Sequence, residues 1–145
     1  MSSLVAAILR GKPERLIGLA ESQSLGDAAK LLTQERIGAL VIRNAAGEMI
    51  GILSERDIVR AVAQKGAAVL DQPVSSMMTR DVICCTPQDS VAELMSMMTE
   101  RRFRHLPVKQ NGKLIGMISI GDVVKARLAE TEHEKEALRA YIVAG

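Results

Sequence analysis

Aromatic side chains are nearly missing from this chain: Phe103 and Tyr141 are the only two among 145 residues, and there is no tryptophan. Modules that bind single-stranded nucleic acid or splayed RNA bases stack them on Phe, Tyr or Trp, so that class is excluded. Little material remains for an aromatic sugar cradle. Cysteine is as scarce. Cys84 and Cys85 are adjacent, which is poor geometry for a structural disulfide and gives no CxxC metal spacing, so both read as packing residues. His105 and His133 are the only histidines and lie far apart, which leaves no metal site and no catalytic dyad to assign. No P-loop and no nucleophile with an adjacent base is present, so the chain reads as a non-enzyme without a catalytic cofactor.

Charge of one sign is lacking too. The 19 basic and 17 acidic residues leave a net charge of +2, with no long block that would track duplex DNA or an anionic membrane. The three arginines of ERRFRH (residues 100–105) fall at a helix end, where basic residues suit the dipole and solvent better than they suit RNA. No apolar run approaches the roughly 20 residues that span a bilayer, and the start MSSLVAAILRGKPER has no basic segment ahead of its short apolar run. A soluble, cytoplasmic protein is expected.

What is present is an aliphatic core supply, 48% hydrophobic residues with eight Met, arranged as an internal repeat. The Met run at 95, 97 and 98, with Met77 and Met78, reads as core or dimer-interface filling. SLGDAAKLLTQERIGALVI, from Ser24, lies over SVAELMSMMTERRFRHLPV, from Ser90. GEMIGILSERDIVRA, from Gly47, lies over GKLIGMISIGDVVKA, from Gly112. Each copy holds a helical stripe (Leu25, Ala28, Ala29, Leu32; Val91, Leu94, Met95, Met98), then a short apolar run, a Gly-containing turn and a second apolar run, then another helix. Ser24 with Asp27, and Ser90 with Glu93, predict capping boxes. Candidate first strands precede the copies at residues 16–20 and 81–85. The predicted fold is therefore α/β (α+β), a β-α-β-β-α unit occurring twice. Its predicted boundaries are an N-terminal segment at 1–15, a first repeat at 16–66, a linker at 67–78, a second repeat at 79–129 and a C-terminal helical extension at 130–145. In that extension Glu132 and Lys135 are spaced for an ion pair. Leu138, Tyr141 and Ile142 form an apolar edge that calls for a covering surface, on the chain's own helices or on a second subunit.

The identities between copies concentrate in the pattern Gly, two apolar residues, Ser, two variable residues, Asp, at Gly51-Ser54-Asp57 and Gly116-Ser119-Asp122. Two chemistries fit it. A Ser at a strand-to-helix junction with Asp three residues on is a capping box. The same Ser hydroxyl and the free N–H groups of the first turn form an anion site, while a carboxylate one turn in suits adjacent ribose hydroxyls. A glycine in the strand lets a ligand or another strand approach the backbone.

The segments RIGALVI, GEMIGILSERDIVRA, TERRFRHLPV and GKLIGMISIGDVVKA resemble the tandem CBS-domain module, named after cystathionine beta-synthase, from about Leu16 to Ala129. The resemblance implies a stand-alone pair of repeats about a pseudo-two-fold axis, often a homodimer, with adenosine-containing ligands such as AMP, ADP, ATP, NAD(H) or S-adenosylmethionine held between copies. Residue by residue it implies that Ser54, Arg56 and Asp57 face Phe103, Arg104 and His105, and that Ser119 and Asp122 face Ile37, Gly38 and Ala39, with Thr79 a further ligand contact. Arg56 aligns with Gly121 and Arg104 with Gly38, so the Asp57 site is expected to hold phosphates more tightly. The Asp122 site, offering only Ser119 and a helix N-terminus, is expected to suit nucleosides or monophosphates. The function implied is a regulatory adenine-nucleotide sensor signalling to an unidentified partner protein, with no nucleic acid and no membrane. The alternative is a ligand-independent dimerisation adaptor whose Ser-x-x-Asp motifs are merely caps.

Overall fold

The helices that follow Ser24, Ser54 and Ser90 start on short side-chain caps. Ser24 and Ser54 each accept the backbone N–H three residues on and receive the returning Asp27 or Asp57 carboxylate, so both are complete capping boxes. Ser90 accepts the Glu93 N–H, which is half of the box expected there, without the returning Glu93 carboxylate. The computed structural model describes residues 3–12 and 16–144. In chain order the elements are α1 (Val5–Arg10), β1 (Gly18–Ala20), α2 (Leu25–Glu35), β2 (Ala39–Arg43), β3 (Met49–Ser54), α3 (Glu55–Lys65), α4 (Val91–Arg101), β4 (His105–Gln110), β5 (Lys113–Ser119) and α5 (Ile120–Ala144), with two short 3-10 turns at Ala67–Asp71 and Val74–Ser76. The fold is mixed α/β with two repeats and a C-terminal helix, and it divides into two units.

The first unit spans Leu16–Val82. Its sheet has the order β1-β2-β3, with β1 parallel to β2 and β3 antiparallel to it. Four successive residues of β2, from Ala39 to Ile42, are buried, as expected of a central strand covered on both faces. Leu25, Ala28 and Leu32 of α2 and Ile58 and Ala61 of α3 close over Leu40, Ile42 and Leu53 as one aliphatic core. No aromatic residue takes part in it. The turns at 67–76, in the stretch read as a linker, contribute Val69 and Val74 to the same core.

The second unit joins the described residues of Met1–Arg15 to Ile83–Gly145. The antiparallel pair β4-β5 turns at Asn111 (φ 54) and Gly112 (φ 77), an Asn-Gly pair with both residues in the left-handed region that a tight hairpin requires. The strand predicted at 81–85 is reduced to a single parallel bridge between Cys85 and Val108. Prolines at both ends of the pairing cause this: Pro87, where Glu21 of the first copy gives its N–H to the Arg43 carbonyl, and Pro107. In the first copy Val41 stands at the position of Pro107 and its N–H bonds to the Ile17 carbonyl, whereas proline has no N–H to give the corresponding partner.

The N-terminal segment belongs to this unit's core. Val5 is wholly buried among Val91, Leu94, Leu106 and Ile118, a burial that contributes about 1.5 kcal/mol or more. The backbone ties it further, with the Val5 N–H on the Asp89 carbonyl and the Val91 N–H on the Ser3 carbonyl. Glu130 of α5, itself buried, accepts from the Ser3 N–H and pairs with Arg127 at 2.7 Å. The C-terminal extension continues α5 without a break, and Glu132 and Lys135 stand 4.0 Å apart as the spacing predicts. Leu138, Tyr141 and Ile142 are exposed. No helix among the described residues is long and apolar enough to cross a membrane.

Candidate functional site

Each Ser-x-x-Asp motif lies where a strand runs directly into a helix, β3 into α3 and β5 into α5. Asp57 Oδ2 accepts the Ser54 N–H at 2.9 Å and the Ser54 hydroxyl at 3.0 Å, while Ser54 Oγ accepts the Asp57 N–H at 3.2 Å. Asp122 Oδ2 accepts the Ser119 N–H at 2.9 Å and Ser119 Oγ accepts the Asp122 N–H at 3.1 Å. Both motifs are capping boxes. The cap engages one carboxylate oxygen of each aspartate, Oδ2, so capping and recognition of a hydroxyl through Oδ1 are compatible. Both aspartates are half-buried.

The strand-entry residues sit beside the motif of their own copy. Ala39 is the register partner of Ser54 and His105 of Ser119. The Gly38 carbonyl accepts the Glu55 N–H at 3.0 Å, and the Arg104 carbonyl accepts the Ile120 N–H at 2.8 Å. Residues 37–39 and 103–105 are thus stitched to the helix starts by backbone, whatever their side chains. Arg36 and Arg102, which align between copies, both end their helices in the left-handed conformation (φ 54 and 59) and turn the chain into these segments. Ile37, Gly38, Phe103 and His105 are half-buried, Ala39 is buried, and Arg56, Arg104 and Thr79 are exposed.

Thr79 does not lead into a strand of the second copy. It forms an isolated bridge with Ile52 of β3, its N–H on the Ile52 carbonyl at 2.8 Å and its carbonyl on the Ile52 N–H at 3.0 Å. The space over Gly51 is taken by this same segment. A Cβ there would meet Met78 Sδ at 2.6 Å and the Thr79 carbonyl at 2.9 Å. Over Gly116 the occupant is α1, whose Leu9 would lie 2.8 Å from an added Cβ. Each motif glycine therefore admits a covering segment of its own unit.

The expectation that the second motif lacks a side-chain cation is overturned. Lys12 Nζ lies 2.7 Å from Asp122 Oδ2 and 2.9 Å from the Met117 carbonyl. Burial by itself would raise the Asp122 carboxyl, but the Lys12 hydrogen bond and charge, with the Ser119 donors, outweigh it and hold the group below the ordinary carboxylate range. The nearby cation of the first motif is Arg60, 3.8 Å from Asp57 Oδ1 and largely exposed. Beside Lys12 and Asp122 a groove of about 550 Å³ runs between α1 and α5, reaching Lys125 and His133. A second groove, about 520 Å³ between α2 and α3, touches Ile37 and Gly38 but neither aspartate. Lys12 was missed because its position has no counterpart in the repeat; only the basic residue following a short apolar run could have hinted at it.

Cys85 is buried and its thiol is pushed up to about 12, chiefly by burial; Cys84 is half-buried and raised for the same reason.

The family model for the CBS domain matches twice, at residues 14–64 and 74–129. Among curated proteins the chain is 39% identical over 123 residues to the CBS domain-containing protein CBSX3, mitochondrial, of Arabidopsis thaliana, covering 82% of this chain and 60% of that protein. It is 38% identical over 106 residues to an uncharacterised 17.7 kDa protein of Acidianus ambivalens, covering 72% of this chain and 63% of that one. The chain thus spans under two thirds of these relatives' lengths. Among solved structures, the CBS-domain containing protein ATU1752 from Agrobacterium tumefaciens is 46% identical with a TM-score of 0.84, over 88% of this chain and 95% of that one. The CBS domain pair of protein MJ0100, solved in complex with 5-methylthioadenosine and S-adenosyl-L-methionine, is 26% identical with a TM-score of 0.76, over 90% and 99%. With two matches that span most of its length, the chain belongs to the CBS-domain family as a tandem pair.

Proposed function

We propose that this CBS pair is a non-catalytic sensor that takes adenosine-containing ligands on its Ser-x-x-Asp motifs and passes their binding to a partner protein. The observation that carries the reading is that the cap takes Oδ2 of each carboxylate, so that a ribose hydroxyl has Oδ1 to meet, shared at Asp57 only with the exposed Arg60 at 3.8 Å. The complex of the MJ0100 pair with two adenosine-containing compounds supports the ligand class. In this reading Asp57 and Asp122 hold ribose, and Ser54 and Ser119, at the helix N-termini, face phosphate. Arg56 and Arg104 supply guanidinium groups, and Thr79 contributes from beside Ile52. Residues 37–39 and 103–105 present backbone and aliphatic surface to the base, because Phe103 is the only aromatic within the repeats.

AMP, ADP, ATP and NAD(H) are the candidate ligands, a homodimer the candidate assembly and the cytoplasm the candidate location. Signalling requires that the ligand bind two conformations unequally, since equal affinity shifts nothing. One observation favours the adaptor alternative: both capping boxes are closed and self-sufficient. Thermal unfolding with and without AMP, ATP and NADH separates the two. A sensor gains about 2.7 kcal/mol at a hundred-fold excess over Kd, and an adaptor gains nothing.

A further inference from the structure

The repeat supplies an internal control for Lys12. Gly51 aligns with Gly116, so Ile52 aligns with Met117. The Ile52 carbonyl accepts the backbone N–H of Thr79; the Met117 carbonyl accepts the ammonium of Lys12. At equivalent points of the two strands, one residue before the strand's last apolar position and its serine, the first copy therefore has a neutral amide and the second a cation. That cation reaches on to the motif aspartate at 2.7 Å. The contact lies within one unit, since Lys12 and Asp122 belong to the same body.

We propose that Lys12 sets the ligand class of the second motif, favouring adenosine compounds that carry phosphate over neutral nucleosides and over cationic ones such as a sulfonium. The inference rests on the reading that Asp122 takes ribose. A ribose donating to the Asp122 carboxylate shares it with the ammonium and weakens that ion pair. A neutral nucleoside returns nothing to the ammonium. A phosphate on the same ribose offers it a new anionic acceptor, and the lysine's flexible four-carbon stem and three donors allow the head to turn without leaving the carboxylate's neighbourhood. A sulfonium instead brings a second positive charge against the first. Space for the turn exists, because the groove beside Lys12 continues along α5 past Lys125, a further cation one turn beyond Asp122. This departs from the expectation drawn from sequence, in which the second motif offers no side-chain cation and suits nucleosides or monophosphates alike.

The test isolates the second motif with Asp57→Ala and compares that protein with the same protein carrying Lys12→Met or Lys12→Arg. AMP, ATP and adenosine are titrated calorimetrically into each. Loss of one charge-assisted contact lowers AMP and ATP affinity by about tenfold in Lys12→Met, while adenosine affinity stays the same or rises. Lys12→Arg keeps the preference for phosphate. A merely structural lysine, anchoring α1 on Met117, would change all three ligands in parallel, and that outcome or no change at all overturns the proposal. If the Asp57→Ala protein with Lys12 intact binds AMP at a site that Asp122→Ala does not affect, or if no adenosine compound binds the unsubstituted chain, the ribose reading itself falls and takes this inference with it.

Discussion

Lys12 and Asp122, at opposite ends of the sequence, meet at 2.7 Å and tie the N-terminal segment to the start of the last helix. The side chains are 34% and 24% exposed, so solvent screening limits the pair to about 0.5–1 kcal/mol. Because the Asp122 carboxyl is held below its ordinary range, its contribution is complete above the unfolded value of 3.8 and is lost as pH falls through the folded value. Urea unfolding of Lys12→Met against the unsubstituted chain should show a constant deficit from pH 8 to pH 5 that shrinks as the pH is taken below 3.8. A deficit that persists unchanged at the acid end would place the lysine's role in packing instead.

In the proposed function, capping and ligand recognition are separable at Asp57. Asn at this position keeps an acceptor for the Ser54 N–H but replaces the second oxygen with an NH2 donor and removes the charge. Asp57→Asn should cost under about 1 kcal/mol in stability, whereas Ser54→Ala, which loses the cap itself, costs about 1 kcal/mol. AMP affinity of the first motif should fall about tenfold or more in Asp57→Asn, since a hydrogen bond to a charged group is worth about 1.5–3 kcal/mol. Chemical denaturation and AMP titration of the two variants test this together.

The two motif glycines differ in what covers them. An alanine at 51 meets the Thr79 carbonyl, which is backbone held in a bridge, at 2.9 Å, whereas an alanine at 116 meets only the end of the Leu9 side chain. Gly51→Ala should therefore destabilise by about 1–3 kcal/mol and Gly116→Ala by less, because a terminal methyl can move aside. Equal melting temperatures for the two variants would contradict the distinction.

The thiols should be slow to react. With Cys85 pushed up to about 12 and buried, and Cys84 raised by burial as well, few thiolates exist at neutral pH. Alkylation with iodoacetamide followed by mass spectrometry should leave Cys85 unmodified in the native protein and label it on unfolding. Rapid native labelling of Cys85 would contradict its placement beside Val108.

Much of this was legible in sequence because it is local. The helical stripes and the caps at Ser24, Ser54 and Ser90 depend on residues within one turn of each other, and duplication doubles the signal. The Asn111-Gly112 turn is equally local. The lost strand at 81–85 turns on Pro87 just after it and on Pro107, more than twenty residues away in the partner strand, where only pairing reveals that an N–H is needed. Lys12 escapes for a related reason: α1 has six residues, no counterpart in the repeat and no period to read, and its place is fixed by long-range burial of Val5. The Ser-x-x-Asp pattern was legible as chemistry but ambiguous between cap and site; the geometry shows the cap, on Oδ2 of each aspartate, and leaves the two roles compatible.

The most direct measurement is calorimetric titration of AMP into the unsubstituted chain and into the Asp57→Ala, Asp122→Ala double variant, with folding of both checked by circular dichroism. Ribose capture by these carboxylates requires saturable binding to the first and none to the folded second. Binding that survives the double substitution, or an unsubstituted chain that gives no saturable signal with any adenosine compound, would contradict it.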